Sequence, residues 1–237
     1  MHRLHGALSA AAGPKLLDIG AGTGNYSEAL AELGWSVTAA EPSAVMRSQR
    51  RSHARLRWVG GYAESLPVAA QSLDAVVCVS ALHHLINREQ AFAEMSRVVG
   101  GGPLVVFTRD PRVAEPCWLE EYFPEVWAES YTAYPDIERV SAELRRATGR
   151  MAKVELFELP GYVSDYFAAA GWSRPELYLD ERVRAGMSPF VRTASEFVKA
   201  GVERLRADLS SGLWDKRYGS LRQRSSFNAG YYLLTAL

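Results

Sequence analysis

Short apolar runs alternate with amphipathic stretches through the first 110 or so residues. Leu16-Leu17-Asp18-Ile19 breaks into Gly20-Ala21-Gly22-Thr23-Gly24, and an amphipathic segment then runs from Asn25 to Leu33 and stops at Gly34. This pattern predicts a strand, a turn and a helix. Trp35 to Ala40 predicts a second short strand ending on Glu41-Pro42, Ala44 to His53 a helix, and Leu56 to Gly60 a third strand. Leu73 to Ser80 is almost continuously apolar, as in a strand covered on both faces. Asn87 stands where an N-cap belongs, and Ala91, Phe92, Met95, Val98 and Val99 follow at helical spacing until Gly100, Gly101 and Gly102. Leu104 to Phe107 predicts the fifth strand. Strands alternating with helices imply right-handed crossovers and a parallel sheet with helices on both faces, which binds ligands at the carboxyl ends of its strands.

Beyond Arg109 the pattern loosens. Pro111, Pro116, Pro124 and Pro135 interleave with Trp118, Tyr122, Phe123, Trp127, Tyr131 and Tyr134, which predicts an irregular aromatic segment. Asp136 to Thr148 predicts a helix closed by Gly149, and Lys153 to Leu159 a sixth strand. From Tyr162 to about Arg217 the chain reads as mostly helical, with pieces at Val163 to Ala170 and Ser195 to Leu209, before a seventh strand at Tyr231 to Ala236.

The glycines of the first turn have a chemical reading. A chain that leaves a buried strand and enters a helix within a few residues needs unusual backbone angles, and a ligand lying against that backbone tolerates no Cβ. Gly20, Gly22 and Gly24 meet both needs, and the helix after them aims its free N–H groups at the turn. Glu41 closes the second strand roughly 20 residues after Gly20, where a ribose diol finds its acceptor. Glycine turns of this kind serve nicotinamide, flavin and sulfonium cofactors alike. A dinucleotide fingerprint wants its third glycine where Asn25 stands, and an apolar residue where Asp18 stands. Both departures point away from a dehydrogenase.

Composition bounds the reading. The 237 residues suffice for one large domain with a cap, and 27 Lys plus Arg balance 27 Asp plus Glu, so no global field steers the chain onto nucleic acid. Arg47, Arg50, Arg51, Arg55 and Arg57 form a local basic run, of the sort that ordinarily keeps a surface wet. Cys78 and Cys117 suggest neither a metal site nor a disulfide framework, which leads to the expectation of no metal and a cytoplasmic setting. No stretch approaches the ~20 apolar residues of a membrane span.

In this order, Asp18-Ile19-Gly20-Ala21-Gly22-Thr23-Gly24, Glu41-Pro42-Ser43, Ala63-Glu64-Ser65-Leu66-Pro67, Ser72-Leu73-Asp74-Ala75-Val76-Val77 and Ala81-Leu82-His83-His84-Leu85 resemble the class I S-adenosylmethionine-dependent methyltransferases. The similarity is to the small-molecule subgroup that includes ubiquinone and menaquinone C-methyltransferases. It is good from about residue 10 to 110 and thin afterwards. The resemblance implies an α/β fold with a Rossmann-like, seven-stranded, mostly parallel sheet, its seventh strand antiparallel between the fifth and sixth, and a helical lid insertion. Residues 1–160 plus 228–237 would form the S-adenosylmethionine-binding domain and 161–227 the lid, with 110–134 as a further contributor.

The implied activity is transfer of a methyl group from S-adenosylmethionine to a small organic acceptor by in-line displacement. Two other classes stay open: an NAD(P)-dependent oxidoreductase, and a methyltransferase-like binding protein without turnover. For the cofactor, the resemblance implies Asp18, Gly20, Ala21 and Gly22 around the methionine portion, Glu41 on the ribose and Met46 against adenine. Ala63 and Glu64 would lie beside the adenine edge and Ser80 near the methionine end. Tyr62 departs from the family, whose members usually carry an aspartate there; it can accept through its hydroxyl or stack, but supplies no carboxylate. His83 and His84 follow the fourth strand, where either could accept a proton from an acceptor hydroxyl or simply pack in the loop. Trp118, Tyr122 and Tyr131 read as a wall of the acceptor pocket or as core, and Arg174 as a partner for an acceptor carboxylate or phosphate or as a salt-bridge residue.

Overall fold

The computed structural model describes residues 1–163 and 165–237. Seven strands, Lys15–Ile19 (β1), Ser36–Ala40 (β2), Leu56–Val59 (β3), Ala75–Val79 (β4), Leu104–Arg109 (β5), Ala152–Pro160 (β6) and Ser226–Ala236 (β7), form one sheet in the order β3-β2-β1-β4-β5-β7-β6. β1 pairs in parallel with both β2 and β4, β2 with β3, and β4 with β5. The strand order therefore switches between β1 and β4, the place where open α/β sheets leave a crevice for ligands. The expected Rossmann-like α/β sheet is present, with the seventh strand between the fifth and sixth.

The helices, in chain order, are His2–Ala7 (α1), Asn25–Glu32 (α2), Ala44–Ser48 (α3), Arg88–Val99 (α4), Trp118–Tyr122 (α5), Pro124–Ala133 (α6), Ile137–Thr148 (α7), Glu181–Ala185 (α8), Ser188–Arg192 (α9), Ser195–Ser210 (α10) and Leu213–Tyr218 (α11). The described residues gather into two compact units. One comprises Met1–Arg109, Pro135–Glu155 and Tyr232–Leu237, the other Asp110–Tyr134 and Leu156–Tyr231.

In the sheet unit, alternation along the strands sorts side chains into two layers. Leu17, Ile19, Val76 and Cys78 face Phe92 and Met95 of α4 and Val140 and Leu144 of α7. Leu16, Val77 and Val79 face Leu4, Leu8, Leu30 and Trp35. Each apolar side chain so buried contributes about 1.5–3 kcal/mol. The helix ends follow their local chemistry. Asn87 caps α4 by accepting from the Gln90 N–H at 3.1 Å, and Asp136 caps α7 by accepting from the Arg139 N–H at 3.0 Å. Gly149 ends α7 at φ +72°. Arg88 of α4 meets Glu143 of α7 at 2.6 Å, and Arg139, one turn before it on α7, meets it at 2.8 Å. Burial alone would push the Glu143 carboxyl up, but the two guanidinium groups outweigh it and hold it below the usual carboxylate range.

The second unit carries an aromatic core. Trp118 meets Tyr122, Tyr178 and Trp214 edge to face at 5.4–5.9 Å, Phe123 meets Phe190 at 5.0 Å, and Trp172 stacks on Phe227 at 5.2 Å. Two polar tips inside it bond main chain, Trp118 Nε1 donating to the Trp172 carbonyl and the Tyr178 hydroxyl to the Ala168 carbonyl, each at 2.7 Å, whereas the buried Trp214 Nε1 has no hydrogen-bond partner among the described residues.

Three local expectations need correction. Trp118 to Tyr134, expected to be irregular, forms α5 and α6, because Pro124 sits at the start of α6, where a proline costs no helical hydrogen bond. The helix expected at Val163 to Ala170 is absent among the described residues, which make turns and bends there; Ser164 lies outside them. The Tyr178 hydroxyl claims the Ala168 carbonyl, and the Phe167 ring packs on Tyr231 at 5.2 Å. Finally, α3 ends at Ser48 instead of continuing to His53. The Arg51 N–H donates to the Thr23 carbonyl and its own carbonyl accepts from Trp58 Nε1, which pulls the chain out of the helix.

Candidate functional site

The site is assembled at the carboxyl ends of β1, β2 and β4 within the sheet unit. After Ile19 the main chain is pinned to the end of β2, because the N–H groups of Gly20 and Ala21 both donate to the Ala40 carbonyl, at 2.9 and 3.2 Å. Gly20 has φ +66°, and a Cβ there would lie 2.4 Å from the Ala81 Cβ, so only glycine lets this turn meet the segment after β4. Gly22 has φ +59°, and a Cβ on it would meet only the Met46 terminal methyl group, at 3.7 Å. No side chain caps α2, whose N-cap is Gly24. The turn is therefore a cradle of main chain, open beside Gly22.

Glu41 stands across the cradle and is held by the same means. One carboxylate oxygen accepts from the Gly22 N–H and the other from the Ser43 N–H, each at 2.9 Å. Lone pairs remain on both oxygens for a diol. Arg47 adds a bond from its guanidinium to the Glu41 carbonyl at 2.5 Å.

Asp18 is placed differently from Glu41. It is buried at 1% exposure on the α2 side of the sheet, and its carboxylate accepts from the Ser27 hydroxyl at 2.5 Å. Burial pushes its carboxyl up to about 7; the Ser27 hydrogen bond works against this and the charge of Glu41 with it. Cys78, fully buried beside it, is pushed up to about 12 by burial and by the Asp18 charge, which makes it inert at neutral pH.

The remaining candidates of this unit lie around the cradle. Ser80 is exposed and holds φ +53°, a rare non-glycine angle, while its N–H donates to the Phe107 carbonyl at 2.8 Å. His83 and His84 form a short 3-10 turn with Leu82, their rings 3.9 Å apart; His83 is half-buried and His84 exposed. Ala63 is buried, whereas the Glu64 carboxylate turns toward the start of α4, accepting from the N–H groups of Ile86 and Asn87 at 2.8 and 3.1 Å. Met46, Tyr62 and Ile86 expose apolar surface at 40%, 61% and 87%.

In the second unit, Trp118 and Tyr122 are each 1% exposed and belong to the aromatic core, with the Tyr122 hydroxyl donating to Asp208 at 2.6 Å. Tyr131 is partly exposed and its hydroxyl bonds Glu120 at 3.2 Å. The Arg174 guanidinium lies over the Tyr162 ring at 5.0 Å, and its buried Nε has no hydrogen-bond partner among the described residues.

Sequence reasoning missed three residues that shape the cradle: Ser27, Ser43 and Arg47. Ser43 had a legible signal, since its hydroxyl caps α3 by accepting from the Met46 N–H at 3.2 Å. Ser27 and Arg47 act across the fold, and no local spacing announces them. Among the described residues no helix is long and apolar enough to cross a membrane, and no group of three or more His, Cys, Asp or Glu gathers as a metal site.

Residues 17–107 match the family described as "Methyltransferase domain". A putative methyltransferase from an antibiotic biosynthesis pathway of Anabaena variabilis is 38% identical, with a TM-score of 0.95 over 100% of this chain and 96% of that one. The demethylmenaquinone methyltransferase of Renibacterium salmoninarum is 37% identical over 102 residues, which are 42% of this chain and 43% of that protein. The match thus spans less than half of that curated relative. Phosphoethanolamine N-methyltransferase 2 of Haemonchus contortus, solved with S-adenosyl-L-methionine, shares the fold at a TM-score of 0.59 and 16% identity, covering 100% of this chain and 51% of that one.

Proposed function

The chain belongs to the class I S-adenosylmethionine-dependent methyltransferases, and from that premise we propose that it transfers a methyl group from S-adenosylmethionine to a small organic acceptor. The observation that carries this reading is the pairing of an open glycine cradle with a prepositioned carboxylate: Gly22 and Ser43 fix Glu41 at the end of β2. These features suit an adenosyl ligand. The space beside Gly22 admits a ligand against the main chain, Glu41 offers acceptors for a ribose diol, and exposed Met46 and Tyr62 offer apolar and aromatic faces to adenine.

The cofactor supplies an activated methyl group on a sulfonium, so this chain's task is to orient, desolvate and position. Asp18 is sealed from ligand and acts through the first turn of α2 by way of Ser27. Gly20, Ala21 and Gly22 hold the methionine portion with main-chain groups, and Ser80 lies at its far end. Adenine is read by main chain near Ala63 and by Tyr62, while Glu64 orders the loop that carries Ile86. His84, the exposed member of the pair, is the group offered to an acceptor proton, with His83 supporting its ring. In the second unit, Trp118 and Tyr122 serve as core. The cysteines Cys78 and Cys117, which form no disulfide with each other, suit a reducing, cytoplasmic setting.

Calorimetry tests the reading. S-adenosylhomocysteine should bind one per chain while NADH gives no heat, and Glu41→Ala should weaken binding about tenfold or more, the effect of removing a charged hydrogen-bond acceptor. Absence of heat with both S-adenosylmethionine and S-adenosylhomocysteine overturns it.

A further inference from the structure

On the other side of the cradle's support lies a second concavity. Arg47, Arg50, Arg51, Ser52, Leu56 and Trp58, from α3, the segment after it and β3, line a groove of about 420 Å³. That volume lies within the range of small-molecule pockets, roughly 300–1,000 Å³. Its charge is one-sided. Arg51 faces Glu28 at 3.6 Å, a loose pair, while among the described residues the guanidinium groups of Arg47 and Arg50 bond main-chain carbonyls, of Glu41 and Arg47. Elsewhere in the same unit Arg88, Arg97, Arg139 and Arg146 each meet a glutamate.

A basic run on a flat surface would do no more than stay wet. Here Arg47 and Arg50 are tethered by carbonyls on a concave wall, which lowers the cost of ordering them around an anion. Two guanidinium groups with no carboxylate partner among the described residues match the charge of a phosphate dianion, whose oxygens accept their forked donors. Trp58 supplies an adjoining ring surface, its Nε1 already committed to the Arg51 carbonyl at 3.2 Å. The zero net charge of the chain offers no long-range field for a polymeric anion, so the local groove favours a small one.

We propose that this groove binds a small phosphate ester, at a site that shares Arg47 with the cofactor cradle and is mechanically joined to it. The joint is visible: the Arg51 N–H donates to the Thr23 carbonyl at 3.0 Å, and the Trp58 ring lies so close to Gly24 that a Cβ there would sit 2.6 Å from it. An occupant that steadies Arg51 and Trp58 steadies the glycine turn, and by linkage each ligand tightens the other.

The test is calorimetry of the full chain saturated with S-adenosylhomocysteine, at fixed ionic strength, titrated with inorganic pyrophosphate or phenyl phosphate and with sodium chloride as control. Saturable binding of phenyl phosphate at one per chain, weakened about tenfold or more by Arg50→Gln, supports the proposal. Glu28→Gln, which removes the competing carboxylate, should tighten binding a few-fold and serves if Arg50→Gln fails to fold. Pyrophosphate binding without phenyl phosphate binding redirects the site to free polyphosphate and overturns the ester. Heat that tracks ionic strength alone, binding indifferent to both substitutions, or capture of a polyglutamate peptide while neither phosphate probe binds also overturns it. S-adenosylhomocysteine affinity measured without phosphate checks the cradle on its own, so failure there is distinguishable from failure of the groove.

Discussion

In the sheet unit, the groups of chemical interest are held by main chain. Glu41 is fixed by two backbone N–H groups, and the turn facing it is fixed by the Ala40 carbonyl. In the second unit, large side chains are held mainly by other large side chains, with Trp118 ringed by Tyr122, Tyr178 and Trp214. Its rim is tied by ion pairs such as Arg217 with Glu121 at 2.6 Å and Arg224 with Glu115 at 2.6 Å. Main-chain geometry tolerates wide variation in neighbouring side chains, so a site built on it depends on few residue identities. An interdigitated aromatic core depends on matched shapes, and it can change from one relative to another as long as volumes are conserved.

The largest expected effect tests the second half of that contrast. Trp118→Ala empties a fully buried site and should cost about 3–5 kcal/mol in urea unfolding, while S-adenosylhomocysteine affinity measured on folded protein stays within a factor of a few. A cofactor affinity that collapses along with stability would mean the cradle is not built on its own main chain.

Gly20→Ala tests the first half. The new Cβ enters at φ +66°, within 2.4 Å of the Ala81 Cβ, so about 2–3 kcal/mol of stability and at least tenfold in cofactor affinity should be lost. Unaltered binding would show that another group forms the contact.

The last effect, read as a slope against pH, concerns Asp18. Its folded pKa is raised from 3.8 to about 7, so the native state keeps a proton that the unfolded chain has already released. Stability from this group is therefore fullest below about pH 4 and falls as pH climbs toward 7. Asp18→Asn should remove that slope, so that the difference in stability moves steadily in the variant's favour from about pH 4 to pH 7. Parallel pH profiles of urea stability for the two proteins would refute the burial argument.

The contrast also explains what was legible. Strands β1, β2, β4 and β5 were readable because a covered parallel strand needs a continuous apolar run, and Asn87, Asp136 and Gly149 because capping is local chemistry. The aromatic stretch was misread because its prolines suggest loops, when Pro124 in fact opens a helix. The helix expected around Val163 to Ala170 gave way to turns because Tyr178, ten residues beyond Ala168, takes its carbonyl. Arg47 was seen only as charge, whereas its bond to the Glu41 carbonyl gives it a place in the site.

What the sequence determined by itself is everything dictated by the backbone's immediate needs: where glycine must stand, where a strand runs apolar, where a carboxylate closes β2. Tertiary structure alone decided that Asp18 faces Ser27 in the dry interior, that Glu64 turns to the N–H groups of Ile86 and Asn87, and that Trp118 and Tyr122 are sealed in a core. The reason is physical. Conformational preference is set by neighbours along the chain, but burial and the choice of hydrogen-bond partner are set by residues that folding brings together from far apart.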